Sequence, residues 1–224
     1  MGQRHNDIRN NLEAPPKINL NTIMQFVSRP SWCLNMMTAK KLNFGNIMGH
    51  VTNVTNLSSL ASWTADQFDS TLTWEDIAWI KDRWKGKLIL KGIMDSEDAM
   101  LAVKAGADAI IISNHGGRQL DGAPSTISVL PEIVDAVNSK VEVHFDGGIR
   151  SGQDVLKALA LGADCIHIGR PYVYGLGAKG QEGVEIAIEI IKKELDLTMA
   201  MCGETNISNV GLHNLHHNPF KIIN

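Results

Sequence analysis

The chain has 224 residues, enough for one large domain or two small ones. With 44% hydrophobic residues, 20% charged residues and a formal net charge of −3, it lacks the basic balance typical of nucleic-acid-binding proteins. Its three cysteines, Cys33, Cys165 and Cys202, are far apart and fit neither a disulfide framework nor a paired zinc site, which indicates a reducing compartment. We find no secretory signal and no membrane-spanning run, so we expect a cytoplasmic protein, with peripheral contact at the inner membrane as the alternative.

The first part of the chain shows little regular patterning. Residues 28–72 carry neither a clear hydrophobic period nor strand punctuation. Loops of this length are usually lids, binding loops or disordered segments. We therefore interpret residues 1–72 as the end of a preceding β/α unit followed by a long lid-like loop.

From Thr73 onward, apolar runs typical of buried strands alternate with helical segments. Thr73 with Asp76, and Ser151 with Asp154, have the spacing of helix-capping boxes. The predicted strands are KLILKG (87–92), DAIIISN (108–114), VEVHFDGG (141–148) and DCIHIGR (164–170), and the last helix is predicted from about Gly183 to Met201. Short strands rich in Val, Ile and Leu, separated by helices, indicate βαβ units and a parallel sheet.

The residues that suggest chemistry all lie at or just past the ends of these strands. They are Lys91, His115 with Arg118, Asp146 with Arg150, and Gly169 with Arg170. Both (β/α)₈ barrels and open α/β sheets build their sites at this edge, and we favour the barrel because these loops must converge on one mouth. A barrel has eight units, so the four units predict the C-terminal half of a (β/α)₈ TIM barrel over residues 73–203, followed by a tail over residues 204–224.

Two glycine-containing strand ends predict a phosphate site. Asp146, Gly147 and Gly148 lead into a helix, where backbone N–H groups and the Arg150 guanidinium suit an anion. One strand later, the Gly169–Arg170 pair offers the same groups, and the loops after the last two strands form the usual phosphate site of such barrels. The alternative is two tight turns with solvated arginines.

His115 and Arg118 follow the second predicted strand, in a loop that contains two glycines. A histidine can accept a proton near neutral pH, and an arginine can hold a carboxylate through two hydrogen bonds. Together they favour a small carboxylic acid that loses a proton beside an electron-accepting cofactor. Lys91 suits a position beside the cofactor ring, although a lone lysine can also extend to the solvent at the barrel rim.

The remaining histidines do not predict a metal site. His144 and His167 lie within strands, where we expect them to pack. The HNLHH segment (213–217) lies in a polar tail and lacks the helical placement of a full ligand set, so we expect a loosely docked tail there.

Four stretches, LKGI, SNHGGRQLDGAPSTI, DGGIRSGQDVLKALALGA and IGRPYVYGL, closely resemble the FMN-dependent α-hydroxy-acid dehydrogenase/oxidase family, which includes L-lactate dehydrogenases and glycolate oxidase. The resemblance extends from GQRHNDIRNNLEAPP at the start to ELDLTMAMCG near residue 203. RPSWCLNMM and FGNIMGHV look most like bacterial L-lactate dehydrogenases.

The resemblance implies a barrel with FMN at its mouth that oxidises an L-2-hydroxy acid, L-lactate to pyruvate in particular. It implies His115 as the base, Arg118 and Arg4 as ligands of the substrate carboxylate, Lys91 beside the flavin pyrimidine edge, and Ser113 as a flavin contact. The residues implied to hold the ribityl chain and phosphate are Asp146, Gly147, Gly148, Arg150, Gly169 and Arg170. The proton taken by His115 comes from Cα in a carbanion scheme or from the hydroxyl in a hydride scheme, and both remain open.

The resemblance also places four barrel strands before Met1, with an active-site tyrosine and the aspartate that orients the base. We therefore expect this chain alone to have little or no turnover. The alternatives are a non-catalytic flavin- or phosphate-binding fragment and another FMN- or phosphate-binding barrel enzyme, against which the His115–Arg118 pair argues. The electron acceptor is not specified, and a homo-oligomer is implied by the family but not required by a half barrel.

Overall fold

A computed structural model describes residues 9, 19–39, 47, 59–60, 63, 66–67 and 69–216. The chain divides into two compact units, residues 1–72 and residues 73–224.

Two short helices are described in the first unit, α1 (Leu20–Val27) and α2 (Pro30–Thr38). The Asn19 side chain accepts a hydrogen bond from the backbone N–H of Thr22 at 2.9 Å and so caps α1. Pro30 begins α2, because its fixed φ and missing N–H suit the first helical turn. The expectation of an irregular segment from residue 28 onward is therefore wrong for α2.

The second unit contains a parallel sheet of four strands in the order β1-β2-β3-β4. The strands are β1 (Ile89–Ile93), β2 (Ala109–Ile112), β3 (Glu142–Asp146) and β4 (Cys165–His167). The register shifts at Gly92, where Lys91 pairs with Ile111 and Ile93 pairs with Ile112. The four consecutive parallel β/α units predicted from the sequence are confirmed.

Helices connect and follow the strands. They are α3 (Trp74–Arg83), α4 (Ser96–Lys104), α5 (Thr126–Val137), α6 (Gly152–Ala160) and α7 (Arg170–Met201), with 3₁₀ turns at His115–Gly117, Ile207–Asn209 and Leu212–Asn214. The last helix begins earlier than about Gly183, since Pro171 stands in its first turn. It is interrupted at Lys179 and Gly180, and Gly180 has a φ of +62° that favours glycine.

The core lies between the sheet and its helices. Its fully buried side chains include Ile110 and Ile112 of β2, Phe145 of β3, and Leu130 and Ile133 of α5. Burial of these groups removes apolar surface from water and holds the strands in register. As a result, the carboxyl ends of the strands meet at one edge of the sheet.

Helix α6 begins at that edge and packs closely on α7. A Cβ atom added to Gly152 would lie 2.0 Å from the backbone nitrogen of Leu195. The Gly152 N–H donates a hydrogen bond to the Glu194 carboxylate at 2.9 Å. Only glycine allows the two backbones to approach this closely.

We therefore expect Gly152→Ala to lower the free energy of unfolding by about 1–3 kcal/mol, as overpacking does in a well-packed interior. Gly177→Ala is the matched control, because a Cβ atom at Gly177 would meet no atom within 4 Å. The control should raise stability by about 0.5–1 kcal/mol through helix propensity. Urea unfolding followed by circular dichroism measures both changes, and equal effects of the two substitutions would contradict the close helix packing.

Candidate active site

Three neighbouring strand ends are joined by one hydrogen-bonded group of side chains. Lys91 Nζ donates to Ser113 Oγ at 2.7 Å and contacts the Asp146 carboxylate. Ser113 Oγ donates to Asp146 Oδ2 at 2.6 Å. Ser113 is only 1% exposed, so its hydroxyl is held within the protein. The group connects the ends of β1 and β3 through the residue that follows β2.

Asp146 remains ionised in this group. Burial raises the pKa of its carboxyl, but the hydrogen bonds from Lys91 and Ser113 and the charge of Lys91 outweigh burial, so the pKa falls below its usual value. At neutral pH the ionised carboxylate therefore lies against the ammonium group of Lys91.

The His115 loop is positioned from two sides. The backbone N–H of His115 donates to Ser113 Oγ at 3.1 Å, and its φ of +55° lies in the left-handed region. A Cβ atom at Gly92 would lie 3.1 Å from His115 Cε1, so the imidazole lies directly over the backbone at the end of β1. The Asn114 side chain accepts from the Gly117 N–H at 3.3 Å and closes the turn.

A pocket of about 330 Å³ opens at this edge of the sheet. Nine of the residues predicted for the site line it: Lys91, His115, Arg118, Asp146, Gly147, Gly148, Arg150, Gly169 and Arg170. Ser113 lies behind the wall, hydrogen-bonded to Lys91 and Asp146. Arg4 lies outside the residues that the structure describes.

The pocket is strongly cationic. Lys91, Arg118, Arg150 and Arg170 bring four positive charges to its lining, against one carboxylate from Asp146. One N–H of Arg170 donates to the Gly116 carbonyl at 2.9 Å, which joins the start of α7 to the His115 loop. Such a charge balance favours a ligand that carries phosphate or carboxylate groups.

Two glycine backbones of the pocket are open to a ligand. A Cβ atom at Gly148 or Gly169 would meet no protein atom within 4 Å. The N–H groups around the start of α6 are different, because the protein already uses them. The backbone nitrogens of Arg150 and Ser151, which precede the helix, each donate to Asp154 Oδ2 at 3.0 Å. The Gly152 N–H donates to the Glu194 carboxylate. The expected helix contribution to anion binding is thus reduced, and the Arg150 guanidinium and the glycine backbones remain for this task.

His167 also lines the pocket, although the sequence pattern predicts a packed strand residue there. It lies at the end of β4 beside Asp146. Partial burial lowers the pKa of His167, and the nearby His144 lowers it further, against the opposing charge of Asp146. The neutral form therefore dominates at pH 7. No clear signal was available in the sequence, because the predicted strand (164–170) places His167 in its interior, whereas β4 ends at His167.

The model of the family described as FMN-dependent dehydrogenase matches residues 1–217. The chain belongs to this family. L-lactate dehydrogenase of Vibrio cholerae serotype O1 (strain M66-2) is 40% identical over 215 residues, which are 96% of this chain and 57% of that protein. L-lactate dehydrogenase of Stenotrophomonas maltophilia (strain R551-3) is 40% identical over 219 residues, 97% of this chain and 58% of that protein. The chain thus spans little more than half the length of these curated relatives.

Solved structures agree with this assignment. The crystal structure of the monotopic membrane protein (S)-mandelate dehydrogenase matches 94% of this chain and 55% of its own, with 34% identity and a TM-score of 0.87. Mandelate oxidase with benzoyl-formic acid matches 61% of this chain and 41% of its own, with 47% identity and a TM-score of 0.60. The predicted family, its FMN dependence and the partial barrel fold are therefore confirmed.

The contribution of the Asp146 carboxylate to stability should depend on pH. At pH 7, Asp146→Asn should lower the free energy of unfolding by about 1–2 kcal/mol, since it removes charge-assisted hydrogen bonds from a partly screened group. The folded-state pKa of Asp146 is below the unfolded value of about 3.9, so its contribution is present above that pH and is lost as pH falls through the folded pKa.

Urea unfolding at pH 7 and at pH 3 tests this expectation, and the gap between wild type and variant should narrow at the lower pH. Asp135→Asn, at an exposed position of α5, is the control and should show a small gap at both pH values. A gap for Asp146→Asn that does not change with pH would contradict the assigned role of its charge.

Proposed function

We propose that this site takes part in the FMN-dependent oxidation of an L-2-hydroxy acid to the 2-oxo acid, with L-lactate as the substrate. The observation that carries the proposal is the cationic pocket that His115 and Arg118 line together with the open glycines and with Arg150 and Arg170. The chain spans little more than half of its curated relatives, so the activity is proposed for the protein to which these residues contribute.

The residues present fit FMN. The Arg150 and Arg170 guanidinium groups and the backbones of Gly148 and Gly169 suit the phosphate, because no protein atom fills the space beside these glycines. Lys91 also lines the pocket and would place its positive charge beside the flavin ring. Its contacts with Asp146 and Ser113 fix the position of the ammonium group. FMN supplies the two-electron acceptor for the oxidation.

The substrate chemistry is proposed for the His115 loop. Arg118 would bind the substrate carboxylate and orient the molecule, which reduces the entropy cost of reaching the reactive geometry. His115 would take one proton from the substrate, from Cα or from the hydroxyl. Ser113, which accepts the His115 backbone N–H, would hold this loop and so act as a positioning residue.

The choice of L-lactate is supported by the curated relatives, which are named L-lactate dehydrogenases at 40% identity across nearly the whole chain. The structural neighbours are named for mandelate, which is also a 2-hydroxy acid. A competition between L-lactate and (S)-mandelate therefore belongs in the test. The alternative, a fragment that binds a flavin or phosphate without catalysis, is a distinct outcome of the same test.

The first stage measures flavin binding by the 224-residue chain. FMN should bind more tightly than riboflavin, which lacks the phosphate. Arg150→Met should weaken FMN binding about tenfold or more, the effect of losing one charge-assisted contact, and should leave riboflavin binding unchanged. Titration of flavin fluorescence gives both affinities. Equal loss for FMN and riboflavin would show that Arg150 does not bind the phosphate.

The second stage adds L-lactate without oxygen and follows the visible flavin spectrum. We expect little bleaching by the chain alone and rapid bleaching when the unmatched portion of the Vibrio cholerae relative is fused to it. In the fusion, His115→Gln should slow reduction about 10²–10⁴-fold, the usual contribution of a general base. Flavin that stays oxidised in the fusion would contradict the proposed oxidation, and rapid bleaching by the chain alone would overturn its predicted inactivity.

We also propose that the protein binds a membrane surface peripherally. None of the described helices is long and apolar enough to cross a bilayer. Helix α1 nevertheless exposes Leu20, Ile23, Met24 and Val27, whose spacing forms one apolar stripe. Such a stripe favours a helix that lies in the membrane interface. A structural neighbour described as a monotopic membrane protein gives further support.

Vesicle co-sedimentation of the chain tests this proposal with phosphatidylglycerol vesicles. Met24→Gln should weaken binding at least about tenfold, because burial of one such side chain contributes about 1.5–3 kcal/mol. Gln25→Ala, one residue further along the helix and off the stripe, is the matched control and should bind as wild type does. Absence of wild-type binding, or equal binding by both variants, would contradict a role for this stripe.

A further inference from the structure

Two histidines and a cysteine on β3 and β4 form a cluster that the proposed flavin chemistry does not use. His144 Nδ1 lies 3.1 Å from His167 Nε2, and the Cys165 thiol completes a group whose donor atoms all lie within 4.8 Å of one another. Strand pairing holds them, because His144 is in register with Cys165 and Asp146 with His167. The cluster therefore rests on backbone that two parallel strands fix in place.

A carboxylate contacts the other nitrogen of the His144 ring. Glu142 Oε2 lies 3.3 Å from His144 Nε2, the nitrogen on the other side of the ring from the cluster. A carboxylate there holds the N–H on Nε2 and leaves the lone pair of Nδ1 directed at His167 and Cys165. Histidines that bind metals commonly have this arrangement, with the second nitrogen donating to a carboxylate.

The donor set defines the kind of ion. Two imidazoles and a thiolate suit borderline ions such as Zn²⁺ and Co²⁺, whereas Mg²⁺ and Ca²⁺ prefer oxygen ligands. Two nitrogens bound to one tetrahedral Zn²⁺ at ~2.05 Å lie about 3.3 Å apart. The 3.1 Å separation of His144 Nδ1 and His167 Nε2 is close to that value.

We propose that His144, Cys165 and His167 bind one divalent transition-metal ion of the zinc class. The fourth coordination position is open to water or a small ligand, as in zinc sites with three protein ligands. Binding releases the thiol proton of Cys165 to solvent and moves the His167 proton to its other ring nitrogen, so no oxidant or reductant takes part. Because His167 also lines the pocket, the ion lies at the pocket wall beside Asp146.

The site does not depend on the proposed hydroxy-acid chemistry, because all of its ligands belong to this chain and none is assigned a role in the oxidation. Cys165 is exposed, so an ion can reach the cluster from solvent. Cys202 is also exposed and Cys33 is partly exposed, and neither belongs to the cluster. These two cysteines serve as internal controls.

Titration of the metal-free, flavin-free chain with Co²⁺ tests the proposal. We expect one equivalent to bind, with a thiolate-to-cobalt charge-transfer band in the near ultraviolet. Cys165→Ser should remove the band and weaken Zn²⁺ binding, measured by competition, at least tenfold. Cys33→Ser and Cys202→Ser should retain the band. The Glu142 side chain is largely exposed, so Glu142→Gln should leave the protein folded. This substitution should weaken Zn²⁺ binding about 10–100-fold.

Three results would overturn the proposal. The first is a folded wild-type chain, with helical circular dichroism, that binds no stoichiometric metal. The second is a thiolate band that persists in Cys165→Ser but disappears in Cys202→Ser or Cys33→Ser. The third is Co²⁺ binding that shows no thiolate band and is abolished by His213→Gln. That result would assign the ion to the exposed histidine near the end of the chain.

Discussion

The hydrogen-bonded contact of Lys91, Ser113 and Asp146 is the constraint on which the rest of the site depends. An isolated ion pair this close to solvent contributes little, because water screens it. Here the buried Ser113 hydroxyl bonds to both charged groups, so the three side chains form one network. The same hydroxyl accepts the backbone N–H of His115. The network therefore ties three strands together and also positions the loop that carries the proposed base.

The charges around this network have two purposes: some stabilise the structure, and others are available to a ligand. Lys91 contacts the Asp146 carboxylate, which is the one carboxylate among the described lining residues of a pocket that also contains Arg150 and Arg170. Like charges gathered in one pocket repel one another and oppose folding, so their presence is best explained by an anionic ligand. At the same edge, Asp154 accepts the N–H groups of Arg150 and Ser151 just before α6, and Glu194 accepts the first N–H group of the helix. Side-chain cations and glycine backbone thus replace the helix end as the expected anion contacts.

Strand β3 supports two kinds of chemistry on one face. Alternate residues of a strand point to the same side, so Glu142, His144 and Asp146 share a face. Asp146 belongs to the cationic pocket at the strand end, while His144 belongs to the histidine–cysteine cluster further back and contacts Glu142. His167 of β4 belongs to both groups and connects them. A metal ion bound there would change the charge of the pocket wall.

The sequence by itself determined the four parallel β/α units, the family, and the concentration of functional residues at strand ends. These features follow from local causes: apolar runs form buried strands, and glycines next to arginines at adjacent strand ends produce a recognisable motif. Helix α2 and the early start of α7 were missed, because a proline in a first helical turn resembles a loop signal in sequence. Only the tertiary structure decided that Ser113 supports the site from behind, that Glu194 of α7 accepts the N–H of Gly152 at the start of α6, and that His144 and His167 meet. Those contacts join residues distant in the chain, and their geometry depends on strand register and side-chain burial, which sequence spacing does not specify.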